Sequence, residues 1–239
     1  MNYYNLAANL LTGLSLFGGF VSIIFSLETH FTFASWAIIF SVIFDGMDGQ
    51  VARRNPTPSA FGKELDSLVD VVSFGIAPSI LGYCFIYQSF YLWAALALFI
   101  YLCCSVFRLA KYNITPKEEL TNYFLGLPTT ASGGVLASFI LIYRRYTQLP
   151  PSGVFVLLVL SLAFLMVSRV KYLNLDCLKE ILSRFKSSIL ILLLAVGLSI
   201  AIFYWFTGVF LPEIGIFTIF LIYLLFSPFM VKLFKFEPR

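Results

Sequence analysis

Apolar runs separated by short polar turns recur along nearly the whole chain, and most reach about 20 residues, the length a helix needs to cross a hydrocarbon layer roughly 30 Å thick. The pattern predicts spanning helices over residues 6–26, 31–52, 66–87, 89–108, 128–145, 151–169, 187–207 and 212–231. This makes the fold all-α and polytopic, with about eight transmembrane helices. The longest polar stretches, 109–127 and 170–186, leave no room for a soluble domain of any size. Within the second, Leu175, Leu178, Ile181 and Leu182 recur at helical spacing with basic residues between them, which predicts a short interfacial helix. The last two spans carry almost no polar side chains and read as structural additions.

Composition agrees with the patterning. Of 239 residues, 60% are hydrophobic and 12% charged, with a mean hydropathy of +0.91, which excludes a water-soluble globular protein. The N-terminus has no basic segment ahead of its apolar run and no small-residue cleavage site after it, so it reads as an uncleaved first span. Cys84, Cys103, Cys104 and Cys177 show neither metal-ligand spacing nor a disulfide framework. With a cytoplasmic N-terminus, only Arg144 and Arg145 of the 16 Lys and Arg residues fall outside the cell. That asymmetry predicts a multi-pass protein of the cytoplasmic membrane. The net charge of +4 is then a topology signal, with nothing in it that points to nucleic acid.

One segment breaks the apolar rule. In FDGMDGQVARRNPTPSAFGKELDSLVD, Phe44 to Asp70, four aspartates flank a proline-rich turn. The apolar part of the second span, residues 31–44, covers only about 21 Å at a rise of 1.5 Å per residue. The helix must therefore continue through the acids. Asp45, Asp48, Gly49 and Ala52 then share one face, with Arg53 alongside. Pro56 and Pro58 break the helix, and on the returning one Gly62, Asp66 and Asp70 lie four apart on one face.

Carboxylates gathered at low dielectric repel one another, so these must be protonated or neutralised by cations. An all-oxygen donor set favours a hard ion such as Mg²⁺, Mn²⁺ or Ca²⁺ over zinc. Two such ions about 3.5–4 Å apart clamp both ends of a phosphoryl displacement. Gly49, Ala52 and Gly62 leave room for a bulky polyanion, and Arg53 offers a cation to phosphate oxygens. A pyrophosphate-bearing lipid fits this depth. The plainer readings are close helix packing for the small residues and solvated helix ends for the acids. His30, the single histidine, falls on the far side of the membrane, away from the acids.

Asp45, Asp48, Gly49, Ala52, Arg53, Gly62, Asp66 and Asp70 reproduce every position of the signature D-x2-D-G-x2-A-R-x8-G-x3-D-x3-D. On that ground the chain resembles the CDP-alcohol phosphotransferases. Further segments are similar to the phosphatidylserine synthase branch: KELDSLVDVVSFGIAPS, ANLLTGLSLFGGF, FRLAKYN and FLGLPTTAS, with Ala8 and Ser15 standing where that branch usually has proline and asparagine. The resemblance implies a catalytic core of six spans over residues 1–170. It leaves an interfacial segment over 171–186 and two additional spans over 187–239.

It also implies a metal-dependent transfer of the phosphatidyl group from CDP-diacylglycerol to L-serine, releasing CMP, by an enzyme whose relatives are commonly homodimers. Asp45, Asp48 and Asp66 are then metal ligands, and Asp70 completes the site and serves as general base. Gly49, Ala52, Arg53 and Gly62, with Asn9, correspond to nucleotide and diphosphate contacts. For the carboxylate of serine, Arg108, Lys111 and Asn113 at the end of the fourth span are the candidates, against plain positive-inside anchoring. Ser73, Gly75 and Pro78 are candidates for shaping the acceptor pocket, and for the latter two a simple helix kink is the favoured reading. Alternatives are another acceptor such as glycerol 3-phosphate or inositol phosphate, an archaeal ether-lipid donor, and, from a different class, an ion-coupled transporter. Transport predicts acids at mid-membrane on several helices rather than on two helices at one interface.

Overall fold

The computed structural model describes residues 3–54, 59–86, 91–115, 123–146, 152–173 and 212–233. Two helices, α1 (Tyr3–Leu27) and α2 (Phe31–Arg53), form an antiparallel hairpin. Its turn is closed by backbone bonds from Glu28, Thr29 and His30 to the last carbonyls of α1, with Thr29 at φ 62°. Helix α3 (Ala60–Asp70) starts at Ser59, whose hydroxyl caps the Gly62 N–H. It runs through a π-helical turn, Val71–Ile76, into α4 (Ala77–Ile86). Then follow α5 (Tyr91–Ile114), β1 (Tyr123–Leu125), α6 (Thr129–Tyr146), α7 (Ser152–Val167), β2 (Lys171–Leu173) and α8 (Pro212–Leu233).

Five helical stretches among the described residues are long and apolar enough to cross a membrane: Tyr3–Leu27, Phe31–Arg53, Ala60–Ile86, Leu92–Ile114 and Pro212–Phe229. Helix α7 is apolar but shorter. The span expected over 187–207, the residues at helical spacing in 174–186 and the turn at 55–58 all lie outside the described residues. One correction falls in the described part. Residues 171–173, read as the start of an interfacial helix, are a strand paired antiparallel with β1 (Tyr123 opposite Leu173, Leu125 opposite Lys171).

The helices pack by small residues, as expected where lipid removes the hydrophobic drive between apolar surfaces. Helix α1 buries Thr12, Ser15, Gly18, Gly19, Ser22 and Ser26 and turns Leu10, Phe17 and Phe20 outward. Serines stitch its buried stripe to the neighbouring helices: Ser41 Oγ donates to the Ser15 carbonyl at 2.9 Å, and Ser73 Oγ donates to the same carbonyl at 3.0 Å. A side chain at Gly19 would run into Ser73, so that glycine sets the approach of α1 to the π-helical turn.

Helix α6 lies at the centre. Every residue from Ser132 to Leu141 is buried, and the helix packs against α2, α4, the π-helical turn and α8. Its glycines serve that position, since Gly133 faces Phe74 and Gly134 faces the ring of Phe220 on α8. At the far end of α6 from Thr129, Arg145 pairs with the buried Glu213 in the first turn of α8 at 3.1 Å. Each charge also sits at the helix end its sign favours. Among the described residues, the one glycine with a left-handed backbone is Gly126 (φ 80°). A Cβ there would strike the Met166 carbonyl, and the Gly126 N–H reaches the Val170 carbonyl at 2.8 Å, so the chain passes close to the end of α7.

Candidate active site

Helix periodicity places Asp45 and Asp48 one turn apart on α2, and Asp66 and Asp70 one turn apart on α3. Helices α2 and α3 each pack against α1, and both aspartate pairs line one cavity of about 530 Å³ at the membrane end where α2 finishes and α3 begins. One carboxylate oxygen from each of Asp45, Asp48 and Asp66 lies within 4.8 Å of the others. Asp70 is more deeply set, only 9% exposed, and stands in side-chain contact with Asp45. Its Oδ1 is buried with no partner among the described residues.

Two threonines hold the cluster in place. Thr12 of α1 donates to Asp48 Oδ2 at 2.8 Å, and Thr130 of α6 donates to Asp45 Oδ2 at 3.2 Å. Donors from α1 and α6 thus hold two carboxylates of α2. Four acids converge on a space whose cationic lining is Arg53, Lys63 and Arg108, and Lys63 is engaged with the Asn113 carbonyl at 3.1 Å. Clustered hard oxygens, one of them buried and unpartnered, fit a divalent cation.

Arg108, near the end of α5, lines the same cavity. Its guanidinium donates to Thr129 Oγ1 at 3.2 Å and stands 6.0 Å from the Phe124 ring centroid. Its Nε is buried without a partner among the described residues. Asn113 also lines the cavity, where it exchanges hydrogen bonds with Ser67 of α3 at 2.9 and 3.2 Å. That pair ties α5 to α3.

The other sequence candidates fall in different places. Gly49 lines the cavity, and a Cβ there would meet nothing nearer than the Arg53 guanidinium at 3.9 Å, so the wall is open beside the acids. Gly62 faces Asn9, whose Oδ1 would sit 3.2 Å from a Cβ at that position. Ala52 and Lys111 are exposed outside the cavity lining. Ser73 is fully buried against α1, where its hydroxyl is spent on the Ser15 carbonyl. Gly75 packs on Leu102 and Ser105 of α5, and Pro78 is buried beyond it. These three positions serve helix packing, and the π-helical turn beside them accounts for the irregularity expected there.

Sequence reasoning missed Thr12, Thr130, Phe124 and the α8 side chains Ile219, Phe220 and Tyr223, all of which border the acids or line the cavity. Thr12 and Thr130 stand inside the NLLTG and GLPTT stretches, so a signal was present. None marked α8, because an apolar side chain facing a cavity reads like one facing lipid.

Fold and site together define a membrane-embedded enzyme that handles a polyanionic lipid headgroup. Comparison with known proteins identifies the kind. The CDP-alcohol phosphatidyltransferase family profile matches residues 5–167, more than half of the chain, and the protein belongs to that family. Among curated relatives, a CDP-diacylglycerol–serine O-phosphatidyltransferase of Helicobacter pylori is 34% identical over 73% of this chain and 74% of its own length. One of the same name from Methanocaldococcus jannaschii is 35% identical over 70% of this chain and 73% of its own length. An archaetidylserine synthase of Methanothermobacter thermautotrophicus is 33% identical over 70% of each chain.

Proposed function

We propose that the protein transfers the phosphatidyl group of CDP-diacylglycerol to the hydroxyl of L-serine, giving phosphatidylserine and CMP, at the cytoplasmic face of the membrane. The observation that carries the choice of acceptor is Arg108. It is a buried guanidinium whose Nε has no partner among the described residues, it lines the same cavity as the acids, and it suits a carboxylate there. The names of the H. pylori and M. jannaschii relatives point to the same acceptor. Orientation rests on the basic residues that gather at the cavity end, with Arg144 and Arg145 at the other.

Asp45, Asp48 and Asp66 would hold the divalent cations, Mg²⁺ or Mn²⁺ and most simply two of them, with Asp70 completing the set. Bound there, such ions neutralise the diphosphate and stabilise the charge that develops on the departing CMP. The rest falls to the chain's own groups. Gly49 leaves space for the nucleotide-linked diphosphate, and Arg53 meets its oxygens. Arg108 orients serine by its carboxylate. Asp70 accepts the hydroxyl proton as the serine oxygen forms its bond to the lipid-side phosphorus and the bond from that phosphorus to the CMP oxygen breaks. Thr12 and Thr130 keep the carboxylates aimed.

The donor's lipid backbone has a second reading, since one relative at 33% identity is named for an archaeal lipid. The deciding assay supplies purified protein with Mn²⁺, either CDP-diacylglycerol or its ether-lipid counterpart, and a panel of alcohols, and measures CMP. Serine is expected to release CMP well above water, glycerol 3-phosphate and inositol phosphate. Equal release with any of these ends the serine assignment.

The threonine contacts give a further expectation. Thr12→Val keeps the shape at α1 but removes the donor to Asp48. The concentration of Mn²⁺ needed for half-maximal rate should rise by about 10- to 100-fold, the usual effect of losing a hydrogen bond that orients a metal ligand.

A further inference from the structure

Helix α8 lies beyond the family match, which ends at residue 167, yet it forms part of the cavity wall. Ile219, Phe220 and Tyr223 lie within about one helical turn and line the cavity together with Arg108, Phe124 and Thr129, with Tyr223 in electrostatic reach of Arg108. Their positions are fixed from two directions. The ring of Phe220 lies on α6 where Gly134 has no side chain, and a Cβ at that glycine would overlap it. One turn further on, both backbone groups of Leu173 in β2 are held by α8: the Leu173 N–H donates to Ser227 Oγ at 2.6 Å, and Tyr223 Oη donates to the Leu173 carbonyl at 3.1 Å. Tyr172 and Tyr223 add a ring contact at 6.0 Å. The strand pair, α6 and α8 therefore form one braced wall.

We propose that this wall, through Phe220 and Tyr223, is a specificity determinant that limits the size of the alcohol accepted beside Arg108. The inference rests on the reading that Arg108 holds the acceptor's carboxylate. An acceptor anchored there has its remaining atoms between the acids on one side and the two rings on the other. Both rings are uncharged, so the wall offers nothing to a second anionic group on the acceptor. Fixed aromatic rings also yield little to an added methylene, and a pocket that refuses one methylene discriminates by about 10- to 200-fold.

The test compares L-serine with L-homoserine, which carries the same carboxylate, amine and primary hydroxyl with one more methylene. Full-length wild-type protein, Phe220→Ala and the milder Phe220→Leu are assayed for CMP release from CDP-diacylglycerol with Mn²⁺, each first checked for folding by its thermal transition in detergent. In Phe220→Ala the homoserine-to-serine ratio of kcat/KM should rise at least about tenfold. Phe220→Leu should give a smaller rise in the same direction. The KM for serine should increase while the KM for CDP-diacylglycerol stays within about twofold, a split that a general loosening of the fold does not produce. An unchanged ratio in a folded, active variant overturns the inference and leaves the serine assignment intact. A raised KM for CDP-diacylglycerol with unaltered KM for serine assigns the wall to the donor's acyl chains and also overturns it. A wild-type protein that releases no more CMP with serine than with water sinks the proposed function itself, and this inference with it.

Discussion

Replacing Asp70 by asparagine should lower turnover by at least about a hundredfold while leaving metal and CDP-lipid binding largely intact. The amide matches the carboxylate in shape, so packing at this deeply set position is preserved, but it cannot take the proton of the attacking hydroxyl. A neutral alcohol is a poor nucleophile, and general-base assistance is worth about 10² to 10⁴ in rate. Asp70 suits that role by its position. It lies one turn deeper on α3 than Asp66, in contact with Asp45, within electrostatic reach of Arg108 and with Oδ1 unclaimed by any protein donor. Asp45 and Asp48, by contrast, each already accept a threonine hydrogen bond. Steady-state kcat and KM for both substrates, together with Mn²⁺ titration of the variant, separate the roles. Turnover close to wild type would remove Asp70 as the base, and lost metal binding would make it a ligand first.

Stripping divalent cations should have an effect at least as large. Chelation with EDTA is expected to reduce CMP release by at least about a hundredfold, with recovery on adding Mn²⁺ or Mg²⁺. The expectation follows from charge. A liponucleotide diphosphate brought to four aspartates meets repulsion that Arg53, Lys63 and Arg108 do not offset, one of those three being engaged elsewhere. Without added cations the donor should neither bind nor react. Full-rate consumption of CDP-diacylglycerol by chelated protein would contradict this.

Much of this was legible in the sequence because two periodicities were strong. Apolar run lengths set α1, α2, α6, α7 and α8 to within about three residues at each end, whereas α5 runs six residues past its apolar part to Ile114, and the three- and four-residue spacing of the acids set which faces they share. The third helix starts at Ala60, ahead of the apolar run that begins at 66, because its first turns carry Lys63, Glu64 and Asp66 and are helical without being apolar. The pairing of β1 with β2 was invisible, since three-residue strands carry no usable alternation. For a related reason Ser73 points to the pocket in the sequence but lies buried against α1, while the irregularity expected at Gly75 is the π-helical turn. Small residues within a motif look the same whether they face a ligand or a helix, and only Ser15, Leu102 and Ser105 across the interface decide. The last span was read as an addition. Its role at the cavity depends on where α8 lands on Gly134, which no local pattern encodes.

The central claim is that carboxylates from two different helices act as one cation site. Titration of Mn²⁺ into purified protein in the presence of CDP, for wild type, Asp45→Asn and Asp66→Asn, tests it without reference to catalysis. Saturable binding in the wild type and its loss in both variants, one altered on α2 and the other on α3, is the predicted result. Wild-type affinity in either variant would show that the two helices do not share the ion.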